Sequence, residues 1–138
     1  MRKRILTLVA IAGVFITILS YAQQNEPTVA NMPPVVVKTV PQSGDTEVDP
    51  GLTEIRVTFS KDMLYGNWSC STMSQDSFPE MVGKPRYEDD KRTCVIDVKL
   101  EPGKTYGTWL NSQRYGNFKD TGKRSAVPYL LIFKTKSE

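Results

Sequence analysis

The sequence predicts an all-β domain behind an export leader. Three observations carry that prediction. Apolar and polar residues alternate in several short runs, clusters of Pro, Gly, Asp and Asn separate those runs, and no helical stripe of useful length follows the N-terminal segment. Short strands and turn clusters at close intervals are the mark of an antiparallel β-sandwich or barrel.

The N-terminus comes first in the chain and stands apart. Arg2, Lys3 and Arg4 are followed by an apolar run from Ile5, and Ser20 and Ala22 occupy the small-residue positions of a cleavage site. This is the order of a secretory signal peptide, residues 1–22. The alternative is an uncleaved anchor, because the apolar stretch sits at the short end of the roughly 17–25 residues that span a bilayer. Cleavage after Ala22 removes three of the 18 Lys+Arg and no acid, which leaves 15 against 15 Asp+Glu. A chain so balanced lacks the basic excess of a nucleic-acid binder, and no later stretch is apolar enough to enter a membrane once the leader is gone. The predicted location is exported: periplasm, cell surface or medium.

Residues 23–34, "QQNEPTVANMPP", have no periodicity and end in a proline pair, which reads as a flexible spacer. Residues 35–138 suffice for one domain with a single core. "VVVKTVP" is β-branched and runs into the turn-rich "PQSGDTEVDPG". "TEIRVTFS" places Ile55, Val57 and Phe59 on one face. From Lys61 to Arg92 the pattern is poor, and Pro79 and Pro85 allow only loop or short edge strands. "TCVIDVKL" puts Cys94, Ile96, Val98 and Leu100 inward, with Thr93, Val95, Asp97 and Lys99 outward. In "KTYGTWLN", Tyr106, Thr108 and Leu110 share a face and Trp109 lies on the other. "YLLIFKT" is apolar almost throughout, which predicts a central strand.

Two cysteines and no histidine bound the chemistry. Without histidine there is no Ser-His-Asp or Cys-His catalysis and one common zinc ligand is missing. In an exported chain an even cysteine count reads as a disulfide. If Trp68, Cys70 and Thr72 share the inward face of one strand, Cys70 and Cys94 meet between sheets. The alternative is two reduced, buried thiols.

The quoted turns and strand ends, "VPQSGDTEVDPGLTEIRVTFSKDM", "LEPGKTYGTWLN", "NFKDTG" and "YLLIFKT", resemble the bacterial Ig-like domains from about Pro34 to Lys136. Pro41 and Gly44 match a Pro-x-x-Gly turn, and Phe59, Ser60 and Met63 a Phe-Ser-x-x-Met strand end. Pro102, Gly103 and Tyr106 match Pro-Gly-x-x-Tyr, and Phe133 and Thr135 match the closing Phe-x-Thr. Asp120-Thr121-Gly122 is one residue shorter than the family's Asp-x-x-Gly. The resemblance implies an immunoglobulin-like antiparallel β-sandwich of about seven strands, used as a spacer or adhesive module.

Candidate chemistry is sparse. Ser60 precedes Lys61, so the two side chains of a strand would diverge, and Ser60, Ser69 and Ser71 have no Ser-x-x-Lys partner. The acids Glu88 to Asp90 are followed at once by Lys91 and Arg92, which reads as a solvated hairpin tip rather than a calcium loop. Asp45, Asp49 and Asp120 read as turn formers. The aromatics Tyr65, Tyr87, Trp109 and Tyr115 cluster toward loops and strand ends, where they can stack on sugars or anchor a protein, while Trp68 reads as core. The sequence thus predicts a non-enzymatic, cofactor-free module that binds or spaces at the cell envelope. The alternative is a carbohydrate-binding module for envelope or extracellular glycan. Its partner is an envelope protein or glycan.

Overall fold

The computed structural model describes residues 26–138, and among them there is no helix. The predicted leader lies outside the described residues, as does the start of the spacer. The described residues before Pro33 hold one turn, in which Thr28 N donates to Asn31 Oδ1 at 2.8 Å and Asn31 N to Thr28 Oγ1 at 3.1 Å. The β domain is the unit Pro33–Glu138. It takes in the proline pair, because Pro34 is fully buried and its carbonyl accepts a hydrogen bond from Val127 N at 3.0 Å.

Eight strands follow: β1 Val36–Val40, β2 Glu54–Phe59, β3 Cys70–Thr72, β4 Glu80–Met81, β5 Arg86–Tyr87, β6 Thr93–Lys99, β7 Thr105–Leu110 and β8 Tyr129–Lys134. One sheet runs β1-β2-β6, with β5 and β4 one after the other along the far edge of β6. The other runs β3-β7-β8. Every pairing is antiparallel. The alternation read from the sequence sets the inner faces. Ile55, Val57 and Phe59 of β2, with Cys94, Ile96 and Val98 of β6, share one core with Tyr106 and Leu110 of β7 and Leu131 and Phe133 of β8. Phe59 meets Phe118 at 5.2 Å between ring centroids, and Tyr106 meets Phe133 at 5.6 Å, both tilted. Such contacts add to the burial of the rings themselves.

Two expectations need correction, for physical reasons. Val95 and Thr93 face outward, in register with Arg56 and Thr58, yet they are buried rather than exposed. Val95 sits in register between Arg56 and Arg86. Those arginines are tied across the outer face, Arg86 to Asp97 at 2.6 Å and to Glu54 at 3.0 Å, and Arg56 to Glu54 and Glu88. Their apolar stems cover the valine while the heads stay wet. Thr93 is held by Asp90 Oδ2 at 2.6 Å. The second is β8, which lies at an edge of its sheet and not at the centre. Residues 43–45 cover that edge: Gly44 N donates to Ile132 O at 2.6 Å, Ile132 N to Ser43 Oγ at 3.1 Å and Lys134 N to Asp45 O at 2.8 Å. The second apolar row of β8, Leu130 and Ile132, faces outward in register with Trp109 and Gly107.

The motif residues acquire reasons. Gly44 has φ +92°, a conformation side chains disfavour. Ser60 Oγ accepts from Val35 N at 3.0 Å and so ties the start of the domain to the end of β2. Tyr106 Oη accepts from Glu101 N at 2.7 Å, five residues upstream. Thr135 is fully buried, with its hydroxyl donating to Glu101 O at 2.6 Å and accepting from Lys104 N at 2.9 Å. The turn that looked one residue short keeps its full length: Lys123 N donates to Asp120 O at 2.9 Å, and Lys123, with φ +65°, takes the left-handed position that glycine usually fills.

Candidate functional site

The stretch from Ser60 to Thr72 resolves into structural and surface roles. Ser60 serves the chain entry described above. Lys61 reaches away from it to Asp120, Nζ to Oδ2 at 2.7 Å. Asp120 is almost wholly buried and also accepts from Arg124 N at 2.8 Å. Burial pulls its carboxyl upward, but the Lys61 ammonium, the Arg124 amide and the Arg124 charge outweigh that, and the group is held below the usual carboxylate range. Asp120 is therefore a structural ion-pair acid as well as a turn former. Asp45 and Asp49 form local turns, accepting from Glu47 N at 2.9 Å and Gly51 N at 2.8 Å. Asp90 caps its own hairpin through Arg92 N and Thr93 N.

Cys70 and Cys94 are free thiols, on β3 and β6 of opposite sheets. Cys94 is fully buried and Cys70 packs against the same core. Burial pushes both thiols up to about 12, and Cys70 adds to the rise at Cys94. Tyr87 lies in register with Cys94, and its hydroxyl is buried without a hydrogen-bond partner among the described residues. Burial first, then the two cysteines, raise its pKa. Cys94 is closed off, and Cys70, though it borders the surface, lacks the electropositive setting of a reactive cysteine. Among the described residues, no group of three His, Cys, Asp or Glu side chains could hold a metal ion.

An opening lies beside these thiols. An open groove of about 550 Å³ is lined by Trp68, Ser69, Cys70, Ser71, Thr72, Met81 and Tyr115. Trp68 also lines a second groove of about 430 Å³, with Tyr65, Gly66, Lys84, Pro85, Arg86 and Tyr87. Tyr65 is 77% exposed and Tyr115 50% exposed. Tyr65 leans on Tyr87 at 6.3 Å, and the Arg114 guanidinium lies 5.3 Å from the Tyr115 ring centre. The first groove follows β3. Asn111 N donates to Ser69 O at 2.9 Å and Ser71 pairs with Trp109, so the N–H and C=O groups of Cys70 and Thr72 point away from β7, toward the edge.

Three of the four aromatics singled out from the sequence, Tyr65, Tyr87 and Tyr115, therefore line this surface. Trp109 does not; it is half-buried on the outer face of the β3-β7-β8 sheet, opposite Ser71 and Leu130. Trp68, expected in the core, only packs against it and lines both grooves. The reason is local: β3 begins at Cys70, so strand alternation does not reach Trp68, and Thr72 is exposed where the short strand runs out.

Sequence reasoning missed Asn111, which shapes the rim. It is fully buried at φ +58°. Its Nδ2 donates to Phe118 O at 2.9 Å and Ala126 O at 3.0 Å, and its Oδ1 accepts from Phe118 N at 2.9 Å. Those bonds fix the chain that leaves β7 and carries Tyr115. A lone asparagine after a strand reads as a turn, and nothing in the sequence marks its distant partners.

Residues 30–135 match the family of bacterial Ig-like domains. No curated protein matches the chain. Among solved structures, the S-layer protein rSbsC(31-844) and the surface layer protein SbsC, domains 1-6, are similar, each at 18% identity and a TM-score of 0.50 over 78% of this chain. The chain corresponds to 14% of either of those chains, and at that identity the likeness concerns the fold.

Proposed function

We propose that this chain, which belongs to the bacterial Ig-like domain family, is an exported, non-catalytic module that works at the cell envelope by binding through the double groove around Trp68. The observation that carries the reading is the sharing of Trp68 by two open grooves, with Tyr65 and Tyr87 in one and Tyr115 in the other. Tyr65 and Tyr115 are exposed and Trp68 and Tyr87 half-buried, and aromatics so gathered at a surface suit an interaction site. The two solved structures named above are surface-layer proteins, a setting that agrees with an envelope role.

The reading includes two processing steps. The leader is removed after Ala22, and residues 23–32 space the domain from the new end. Cys70 and Cys94 then pair between the sheets. Two thiols lose two protons and two electrons by exchange with an external disulfide, which leaves as two thiols. The loop so closed spans 24 positions and contributes about 3 kcal/mol in the chain-entropy model.

Cell fractionation tests the role. The processed chain is expected with the envelope, and Tyr115→Ala is expected to shift it to the soluble exported fraction. A cytosolic chain that keeps Met1, or a Tyr115→Ala variant retained like wild type, contradicts the proposal.

A further inference from the structure

We infer that the occupant of the Trp68–Tyr115 groove is a neutral glycan chain, held by ring stacking on the aromatics and by hydrogen bonds along β3. The inference rests on the binding role proposed above and names its ligand. No charged side chain lines this groove; the lining is two aromatics, a methionine, a cysteine and three hydroxyl residues, Ser69, Ser71 and Thr72. A charged ligand would find no opposite charge among the lining residues, and the nearby Arg114 guanidinium is already laid over Tyr115. A purely apolar ligand would strip water from the hydroxyls and from the outward backbone groups of Cys70 and Thr72. A pyranose ring satisfies both demands, since its C–H face lies on an aromatic ring while its equatorial hydroxyls reach donors and acceptors in the plane.

The shape agrees. The groove is open to solvent rather than enclosed, which suits a chain that continues past the site better than a small molecule sealed within it. Arg114 covers one face of Tyr115, at 5.3 Å from the ring centre, which leaves the other for a sugar. Trp68 carries the surface into the neighbouring groove, where Tyr65 is the most exposed aromatic. An extended peptide is the competing occupant, because the edge of β3 is open to strand addition. β3 is only three residues long, and its outward backbone groups are those of Cys70 and Thr72. So short an edge offers little ladder to a peptide, whereas it supplies the two or three polar contacts a sugar ring uses.

The experiment is co-sedimentation of the mature chain with the insoluble envelope of the producing cell, treated in parallel with protease or with periodate. Periodate cleaves the vicinal diols of sugars; protease removes protein partners and spares glycan. Binding is expected to survive protease and to be lost after periodate. Tyr115→Ala is expected to bind about tenfold more weakly, equivalent to about 1.4 kcal/mol, and Tyr115→Phe, which keeps the ring, to bind like wild type. Circular dichroism establishes that both variants are folded; if Tyr115→Ala is not, Thr72→Lys, at an exposed position that places charge in the groove, serves instead and is expected to lose binding likewise. Binding that is lost with protease and kept after periodate overturns the glycan inference while leaving the binding role intact. No sedimentation of the wild-type chain with untreated envelope overturns both.

Discussion

Replacing Asn111 with alanine tests the packing that holds the groove's rim. The side chain makes three hydrogen bonds with no solvent exposure. Phe118 O keeps a second donor, Ala126 N at 2.8 Å, so the substitution orphans chiefly Phe118 N and Ala126 O. An unsatisfied buried group costs about 1–3 kcal/mol. Alanine at φ +58° adds a left-handed penalty of about 1 kcal/mol that asparagine largely escapes. The expected loss is therefore about 4 kcal/mol, a large part of the roughly 5–15 kcal/mol of a typical domain. Urea denaturation followed by tryptophan fluorescence reads it as a midpoint lowered by about 2 M, at a slope near 2 kcal/mol/M. Asn111→Gly removes the same hydrogen bonds but relieves the backbone, so it is expected to lie about 1 kcal/mol above the alanine variant. An alanine variant within about 0.5 kcal/mol of wild type, the range of an ordinary surface change, refutes the reasoning.

Three further outcomes are expected. Because Asp120 is depressed in the folded chain, its contribution to stability is complete above the unfolded carboxylate value near 4 and is lost as pH falls through the lower folded value; Asp120→Asn is less stable at neutral pH and flattens the acid limb of a stability–pH curve, and an unchanged acid limb contradicts this. Lys123→Gly relieves a left-handed residue and raises stability by up to about 1 kcal/mol, whereas a lower urea midpoint would mean that the lysine side chain holds the turn. Intact mass of the exported chain falls by two hydrogens relative to its reduced form if Cys70 and Cys94 are paired, and alkylation of both thiols in the unfolded, unreduced chain rules the bond out.

The strand faces were legible because each is a local alternation. Ile55, Val57 and Phe59, and again Tyr106, Thr108 and Leu110, can be sorted inward without knowing their neighbours. Alternation gives the face but not the exposure where cover comes from elsewhere in the chain. Val95 is buried by Arg56 and Arg86, thirty-nine positions before it and nine positions before it in the sequence. The apolar character of β8 reflects two occupied faces rather than a central place, since residues 43–45 close its edge. Asn111 and the Lys61–Asp120 pair are invisible for the same reason: their partners lie in other loops. The candidate site was half legible. Its aromatics stood out as loop residues, but the groove is assembled from residues 68–72, Met81 and Tyr115, and only folding brings these together. Trp68 was misplaced because the strand that would have turned it inward starts two residues later.

The most direct test of the binding surface is amide and indole chemical-shift mapping of the labelled mature chain, titrated with protease-stripped, solubilised envelope glycan. The account predicts shifts at the Trp68 indole, the Ser69–Thr72 amides and Tyr115, with Trp109 unmoved. Shifts confined to Trp109, Leu130 and Ile132, on the outer face of the other side of that sheet, would contradict it.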